Sequence, residues 1–188
     1  MIPTQGNDAL VLLLDTNFFW LPKEKRDSLQ GLCRSGRIKA YIPALVVAER
    51  VRQLTQKEHE NSAKGETVVF GRSIRSFFLL IEQFAFDTEQ KVTPFAFEDA
   101  RVLGEIWHEW LTEQSPENWR KKPGQPLKLK EDTFAYLKWV EHKADWLIAA
   151  MARRSGYLIV TNDKGPPFQQ SGVKRVTVVD VLKMINND

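Results

Sequence analysis

Leu10-Val11-Leu12-Leu13-Leu14-Asp15-Thr16-Asn17 decides how this chain folds. The apolar run is continuous rather than alternating and stops after five residues at a polar turn. That is the pattern of a parallel strand buried on both faces. The same pattern returns late in the sequence, where Tyr157-Leu158-Ile159-Val160 runs into Thr161-Asn162-Asp163. Val176 to Val179 reads as a third strand, and Lys91 to Phe97 as a short one that Pro94 confines to a sheet edge. Helical patterns lie between. Pro43 suits the first turn of a helix through about Thr55. Ser73 to Phe86 places Ile74, Phe77, Phe78 and Ile81 at helical spacing, and Glu98 to Leu111 does the same with Val102, Leu103, Ile106, Trp107 and Trp110. Strands alternating with helices predict an α/β three-layer fold with a mostly parallel central sheet flanked by helices.

Residues 131–155 contain neither proline nor glycine, and Gly156 stands where a helix C-cap belongs. The polar step Glu141-His142-Lys143 breaks the apolar stripe. Two helices meeting near Ala144 are therefore expected, with Asp145 in a first turn that favours carboxylates.

With 188 residues, 43% of them hydrophobic, the chain suffices for one core, and a single domain with insertions is expected over 1–188. Cys33 is the only cysteine, so an intrachain disulfide and a cysteine-rich zinc site are excluded, and a metal would have to be held mainly by oxygen. Residues 1–10 lack a basic n-region, and the apolar run that ends at Asp15 is too short for a signal peptide or a membrane span. The expectation is a soluble cytoplasmic protein without a membrane partner. The net charge of +3 is uninformative, but its distribution is not. Arg120, Lys121, Lys122, Lys128 and Lys130 crowd a stretch broken by Pro116, Pro123, Gly124 and Pro126, which reads as a loop, either a solvated linker or an RNA-binding segment. Trp119 beside it is a candidate to stack on a base, whereas the other tryptophans read as core.

Asp15 and Asp163 each follow a strand directly, and in open α/β sheets ligands sit beyond the carboxyl ends of strands. Each is equally readable as a turn or N-cap residue, the role assigned to Asp180 at the start of a last helix over Val181 to Asn187. Asp145 precedes the apolar segment Trp146 to Ala152. It is either a buried carboxylate in need of a cation or donors, or a helix cap. Glu49 falls away from the Val47, Val51, Leu54 stripe and reads as exposed, unless the helix start, apolar all round from Ala44 to Ala48, is deeply inserted. His59, His108 and His142 fit no common metal-ligand spacing and read as structural. The glycines form no phosphate loop.

The segments around Asp15, Ile42 to Glu49, Ala144 to Ala150 and Leu158 to Asp163 together resemble the four acidic motifs of the PIN family, in that family's order. The resemblance covers about Leu10 to Val179. It implies a Mg²⁺- or Mn²⁺-dependent endoribonuclease of the VapC toxin type, with Asp15, Glu49, Asp145 and Asp163 as catalytic, metal-holding acids. Asn17 and Thr161 would orient them. It further implies a single-stranded RNA substrate, an antitoxin protein partner and a homodimer. Stretches near 57–71 and 115–130 depart from the compact toxin pattern and read as insertions. Two other readings remain open: a non-catalytic RNA-binding or interaction module on the same fold, and a haloacid dehalogenase-like phosphatase with Asp15 as nucleophile. The phosphatase would want a second Asp where Asn17 stands.

Overall fold

The first apolar run forms strand β1 (Leu10–Leu14), in which Leu12, Leu13 and Leu14 are all essentially inaccessible to solvent. A computed structural model describes residues 9–88, 92–112 and 134–186. After β1 come a short 3₁₀ helix (Thr16–Trp20), α1 (Lys23–Arg34), β2 (Ile38–Pro43), α2 (Ala44–Ala63), α3 (Arg72–Thr88), β3 (Val92–Thr93) and α4 (Phe97–Thr112). Then follow α5 (Phe134–Ser155), β4 (Leu158–Val160), α6 (Pro166–Gln170), β5 (Arg175–Val176) and α7 (Val178–Asn186). The expected α/β class, a parallel sheet flanked by helices, is what the chain adopts.

The chain forms two compact units. The first takes the described residues of Met1–Pro94, Leu158–Asn162 and Val176–Asp188, and the second those of Phe95–Tyr157 and Asp163–Arg175.

In the first unit the five strands lie in the order β3-β2-β1-β4-β5. The pairings are parallel, with Leu10 opposite Ile38, Leu14 opposite Val160 and Ile42 opposite Val92. The chain therefore steps outward from β1 through β2 to β3, then resumes on the other side of β1 with β4 and β5. The direction of winding reverses between β1 and β4, and beyond the carboxyl ends of such neighbours an open α/β sheet leaves a crevice. Asp15 and Thr161 are the residues that follow those two strands.

Aromatic packing fixes the segment after β1. Phe18 and Phe19 on the 3₁₀ helix meet Phe84 and Phe77 of α3 edge to face, with centroids 5.6 and 5.0 Å apart. Such pairs add about 0.5–1.5 kcal/mol each beyond burial. α3 is itself seated by Glu58 of α2, a buried carboxylate that accepts from the backbone N–H groups of Gly71 at 2.7 Å and Ser73 at 2.9 Å. These are orphan donors at the helix start, and a carboxylate there is favoured by the helix dipole. Gly71 has φ +77°, a left-handed conformation that explains glycine at this turn.

In the second unit α4 and α5 pack through Val102, Ile106, Trp110, Trp146 and Ala150, with Trp107 alongside. Across this interface Arg153 grips Glu109 with two hydrogen bonds of 2.6 and 2.7 Å. Asp99, fully buried, caps α4 by accepting from Ala96 N and pairs with Arg154. α5 bends where the polar step predicted a break: His142 leaves helical geometry at φ −125°, ψ 23°, which puts Asp145 in the first turn of the second segment.

Several elements differ from those the sequence pattern predicts. β2 and α1 were not anticipated. α2 runs on to Ala63 rather than stopping near Thr55, so the stretch 57–71 is partly helix. The Val176 to Val179 run is not one strand: β5 ends at Val176 and α7 begins at Val178. Thr177 and Asp180 form the reason, a reciprocal cap in which Thr177 N donates to Asp180 Oδ2 at 2.9 Å and Asp180 N donates to Thr177 Oγ1 at 3.2 Å. Asp180 is thus a capping residue as expected, but from inside a helix that starts earlier. β3 lies at the sheet edge, as Pro94 required. The basic cluster from Arg120 to Lys130 lies outside the described residues, as does Trp119.

Candidate functional site

Asp15 is only 2% exposed, and a carboxyl group so deeply buried is costly unless donors or cations satisfy it. Donors are what it has. Its Oδ1 accepts from the N–H of Thr16 at 2.6 Å, and its Oδ2 accepts from Asn17 Nδ2 at 2.9 Å and Thr161 Oγ1 at 2.7 Å. Asn17 Nδ2 also lies 3.3 Å from Thr161 Oγ1, closing a small ring of polar groups across the mouths of β1 and β4. The strand ends are held in register by Asp15 N, which donates to Val160 O at 3.3 Å. A carboxylate offers about four lone-pair sites. Three are taken, and the remaining acceptor capacity lies on Oδ1.

Glu49 joins this arrangement through Thr16. The Thr16 hydroxyl donates to Glu49 Oε2 at 2.5 Å, while the Thr16 N–H is already committed to Asp15. The other oxygen, Oε1, accepts from Gln53 Nε2 at 3.3 Å. Glu49 is half-buried on α2, where Val46 alone of Ala44 to Ala48 is fully buried and Ala48 is exposed, so the helix start is not deeply inserted. Among the described residues, neither Asp15 nor Glu49 is paired with a Lys or Arg. Both offer oxygen ligands only, and Asn17 and Thr161 donate hydrogen bonds to Asp15.

The two remaining acids belong to the second unit. Asp145 Oδ2 lies 3.4 Å from His142 Nδ1 at the bend of α5. Asp163 Oδ1 accepts from Gly165 N at 2.7 Å, the turn that leads into α6, and its backbone carbonyl accepts from Arg175 Nη1 at 2.7 Å. Among the described residues, no three His, Cys, Asp or Glu side chains form a group able to hold a metal ion.

Reading the sequence alone missed several polar residues beside Glu49. Thr16 is the link between the two carboxylates. Gln53 faces both ways: its amide nitrogen donates to Glu49, and its Oε1 accepts from Arg50 Nη1 at 3.2 Å. The Arg50 guanidinium in turn sits 3.6 Å from the centre of the Trp20 ring. Gln53 falls one helical turn after Glu49, a spacing that could have flagged it. Nothing local signals the meeting of Trp20 with Arg50.

No protein-family profile matches the sequence, and no curated protein matches it. Solved structures do. FitAcB from Neisseria gonorrhoeae superposes with a TM-score of 0.53 at 20% identity, covering 89% of this chain and 98% of that one. VapBC2 from Rickettsia felis, bound to a DNA fragment from its promoter, superposes with a TM-score of 0.51 at 16% identity, covering 89% and 98%. At these identities the likeness is one of fold.

Proposed function

We propose that this chain is a Mg²⁺- or Mn²⁺-dependent endoribonuclease that hydrolyses single-stranded RNA, with Asp15 and Glu49 at the centre of the reaction. The observation that carries the reading is a buried Asp15 held by three donors at the winding reversal of a parallel sheet and joined to Glu49 through Thr16. The donor set fits the metal. Mg²⁺ prefers oxygen, retains several waters and is commonly held by one or two carboxylates together with substrate phosphates, so a pair of acids is a sufficient protein contribution. Asp15, through its remaining acceptor capacity, and Glu49 would hold the ion. When bound, it would supply a water activated near neutral pH and charge stabilisation for the phosphodiester transition state.

The chain's own groups prepare this. Thr16, Asn17 and Thr161 hold Asp15 in a fixed orientation, so that little reorganisation accompanies binding. Thr16 sets the position of Glu49. Asp145 and Asp163 are assigned to the same reaction on the strength of their sequence motifs, a role for mutation to test. Asn17 holds Asp15 with an amide that cannot act as a general acid, which speaks against the phosphatase.

The fold likeness to FitAcB and VapBC2 supports a toxin-like nuclease that would be held in check by an antitoxin partner and form a homodimer in the cytoplasm. The test is cleavage of single-stranded RNA with and without Mg²⁺ or Mn²⁺. Asp15→Asn should abolish turnover without unfolding the protein, and near-normal turnover by that variant would sink the proposal. One observation favours a second reading, a non-catalytic RNA-binding module: no group of three or more metal-holding side chains forms among the described residues. That reading expects RNA binding with no metal-dependent cleavage by the wild type.

A further inference from the structure

Arg50 is a cation in an unusual place. It is only 9% exposed, its Nε has no hydrogen-bond partner among the described residues, and its Nη1 reaches the neutral amide of Gln53 rather than an acid. Its guanidinium lies over the Trp20 ring at 3.6 Å, an arrangement that orients both groups. Arg26 lies close enough to repel it; burial first and then this repulsion lower the Arg50 pKa from its ordinary value. Arg26 donates to the carbonyl of Phe19 at 3.1 Å, so among the described residues no carboxylate pairs with either cation. Two like charges held together with one largely buried cost stability. An anion would relieve that cost. Trp20, for its part, is 56% exposed, although a large aromatic with no ligand would ordinarily be buried more completely.

We propose that Trp20, Arg50 and Arg26 form a seat for one nucleotide of single-stranded RNA, with a phosphate against the two guanidinium groups and a base stacked on Trp20. The pieces match the chemistry: Arg presents a planar fork of donors to phosphate oxygens, and a tryptophan face takes any base. Gln53 places the seat beside the reaction centre, because the amide that accepts from Arg50 also donates to Glu49. A strand seated here would have its backbone brought up to the carboxylates by the residues that hold its phosphate.

The identity of the polymer rests on the nuclease reading, so the test measures binding without cleavage. Fluorescence anisotropy of a fluorescein-labelled, mixed-sequence single-stranded RNA is followed in EDTA across a salt series, using the full chain. Arg26→Gln and Arg50→Gln should each weaken binding about tenfold and reduce the slope of log affinity against log salt by about 0.7, the value for one phosphate contact on a single strand. Trp20→Ala should weaken binding about tenfold with the slope unchanged, and Trp20→Phe should restore most of it. Duplex RNA, whose bases stack on one another, should compete poorly. Should Arg50→Gln fail to fold, Arg26→Gln and the Trp20 pair decide the matter. Wild-type affinity and slope in those folded variants, or no binding by the wild type, overturns the seat. If the wild type binds through these residues yet never cleaves, the nuclease reading fails and the seat stands. If cleavage depends on Asp15 while the seat variants bind normally, the reverse holds.

Discussion

Thr161 donates its hydroxyl hydrogen to Asp15 Oδ2 at 2.7 Å, across 146 residues of chain. Both residues are buried, and they sit at the ends of the adjacent strands β4 and β1. The bond therefore joins the two halves of the sheet where its winding reverses, and it commits one Asp15 oxygen to holding rather than reacting.

Removing that donor isolates its contribution. Thr161→Val keeps the shape and leaves a buried carboxylate short of one hydrogen bond, which should lower stability by about 1–3 kcal/mol. Thr161→Ser should recover most of it. Urea denaturation of the three proteins measures the effect; equal midpoints would mean that Asp15 does not depend on this donor.

Thr16→Val separates Glu49 from Asp15. The backbone N–H that donates to Asp15 remains, and only the hydroxyl bond to Glu49 is lost. Stability should fall by no more than about 1.5 kcal/mol, the usual worth of such a bond. RNA cleavage should fall by about a factor of ten or more, because a loosened ligand misplaces the reacting groups. A variant that cleaves normally would make Thr16 a structural residue alone.

Asp163→Asn distinguishes a cap from a reacting acid. Asparagine keeps an oxygen to accept from Gly165 N, so the turn into α6 should survive and the melting temperature should change little. Cleavage should nevertheless be lost. Retained cleavage would reduce Asp163 to its turn, and a large drop in melting temperature would show that its charge serves the fold.

Glu58 ties stability to acid. Its backbone bonds to Gly71 and then Ser73 hold its pKa below the ordinary value of 4.5. A depressed acid gives stability that is present above the unfolded pKa and is lost as pH falls through the folded one. The wild type should therefore lose melting temperature as pH drops below about 4.5, and Glu58→Gln should lose less over the same interval. Parallel pH profiles for the two proteins would remove Glu58 as the cause.

Cys33 reports on opening of the fold. Burial pushes its thiol up to about 12 from an ordinary 9.0. Native protein should be inert to a thiol-specific reagent near neutral pH and react once unfolded. Because the folded pKa is raised, the linked stability is intact below 9.0 and is lost as pH rises toward 12. Rapid labelling under native conditions would contradict the burial.

The parts of the molecule that were legible in the sequence are those whose determinants are local. β1 and β4 announced themselves because strands buried on both faces must be apolar throughout, and their strand-end polar residues followed. β2 did not, since Ile38 to Pro43 alternates buried and exposed positions, carries Lys39 and ends in proline. α1 buries only Leu29 and Cys33, too thin a stripe to stand out among its charges. Thr177 and Asp180 did carry a readable signal, a capping pair three residues apart that outweighed the β-branched run around it. Asn17 and Thr161 were found through the resemblance. Thr16 and Arg50 were not found, because what distinguishes them is a partner 33 residues away in one case and the face of Trp20 in the other.

The order of the strands also sets a timetable. β1 is made first, and its neighbour β4 only after residue 157, so a chain emerging from the ribosome carries Asp15 long before it carries Thr161. Until then Asp15 has only the donors next to it, Thr16 and Asn17, and β4 and β5, two of the five strands, do not exist. Contacts that close so long a loop form late in folding as well as late in synthesis. A buried polar centre wired this way stays unassembled while most of the chain is still being made, and it comes into being only when β4 has joined β1.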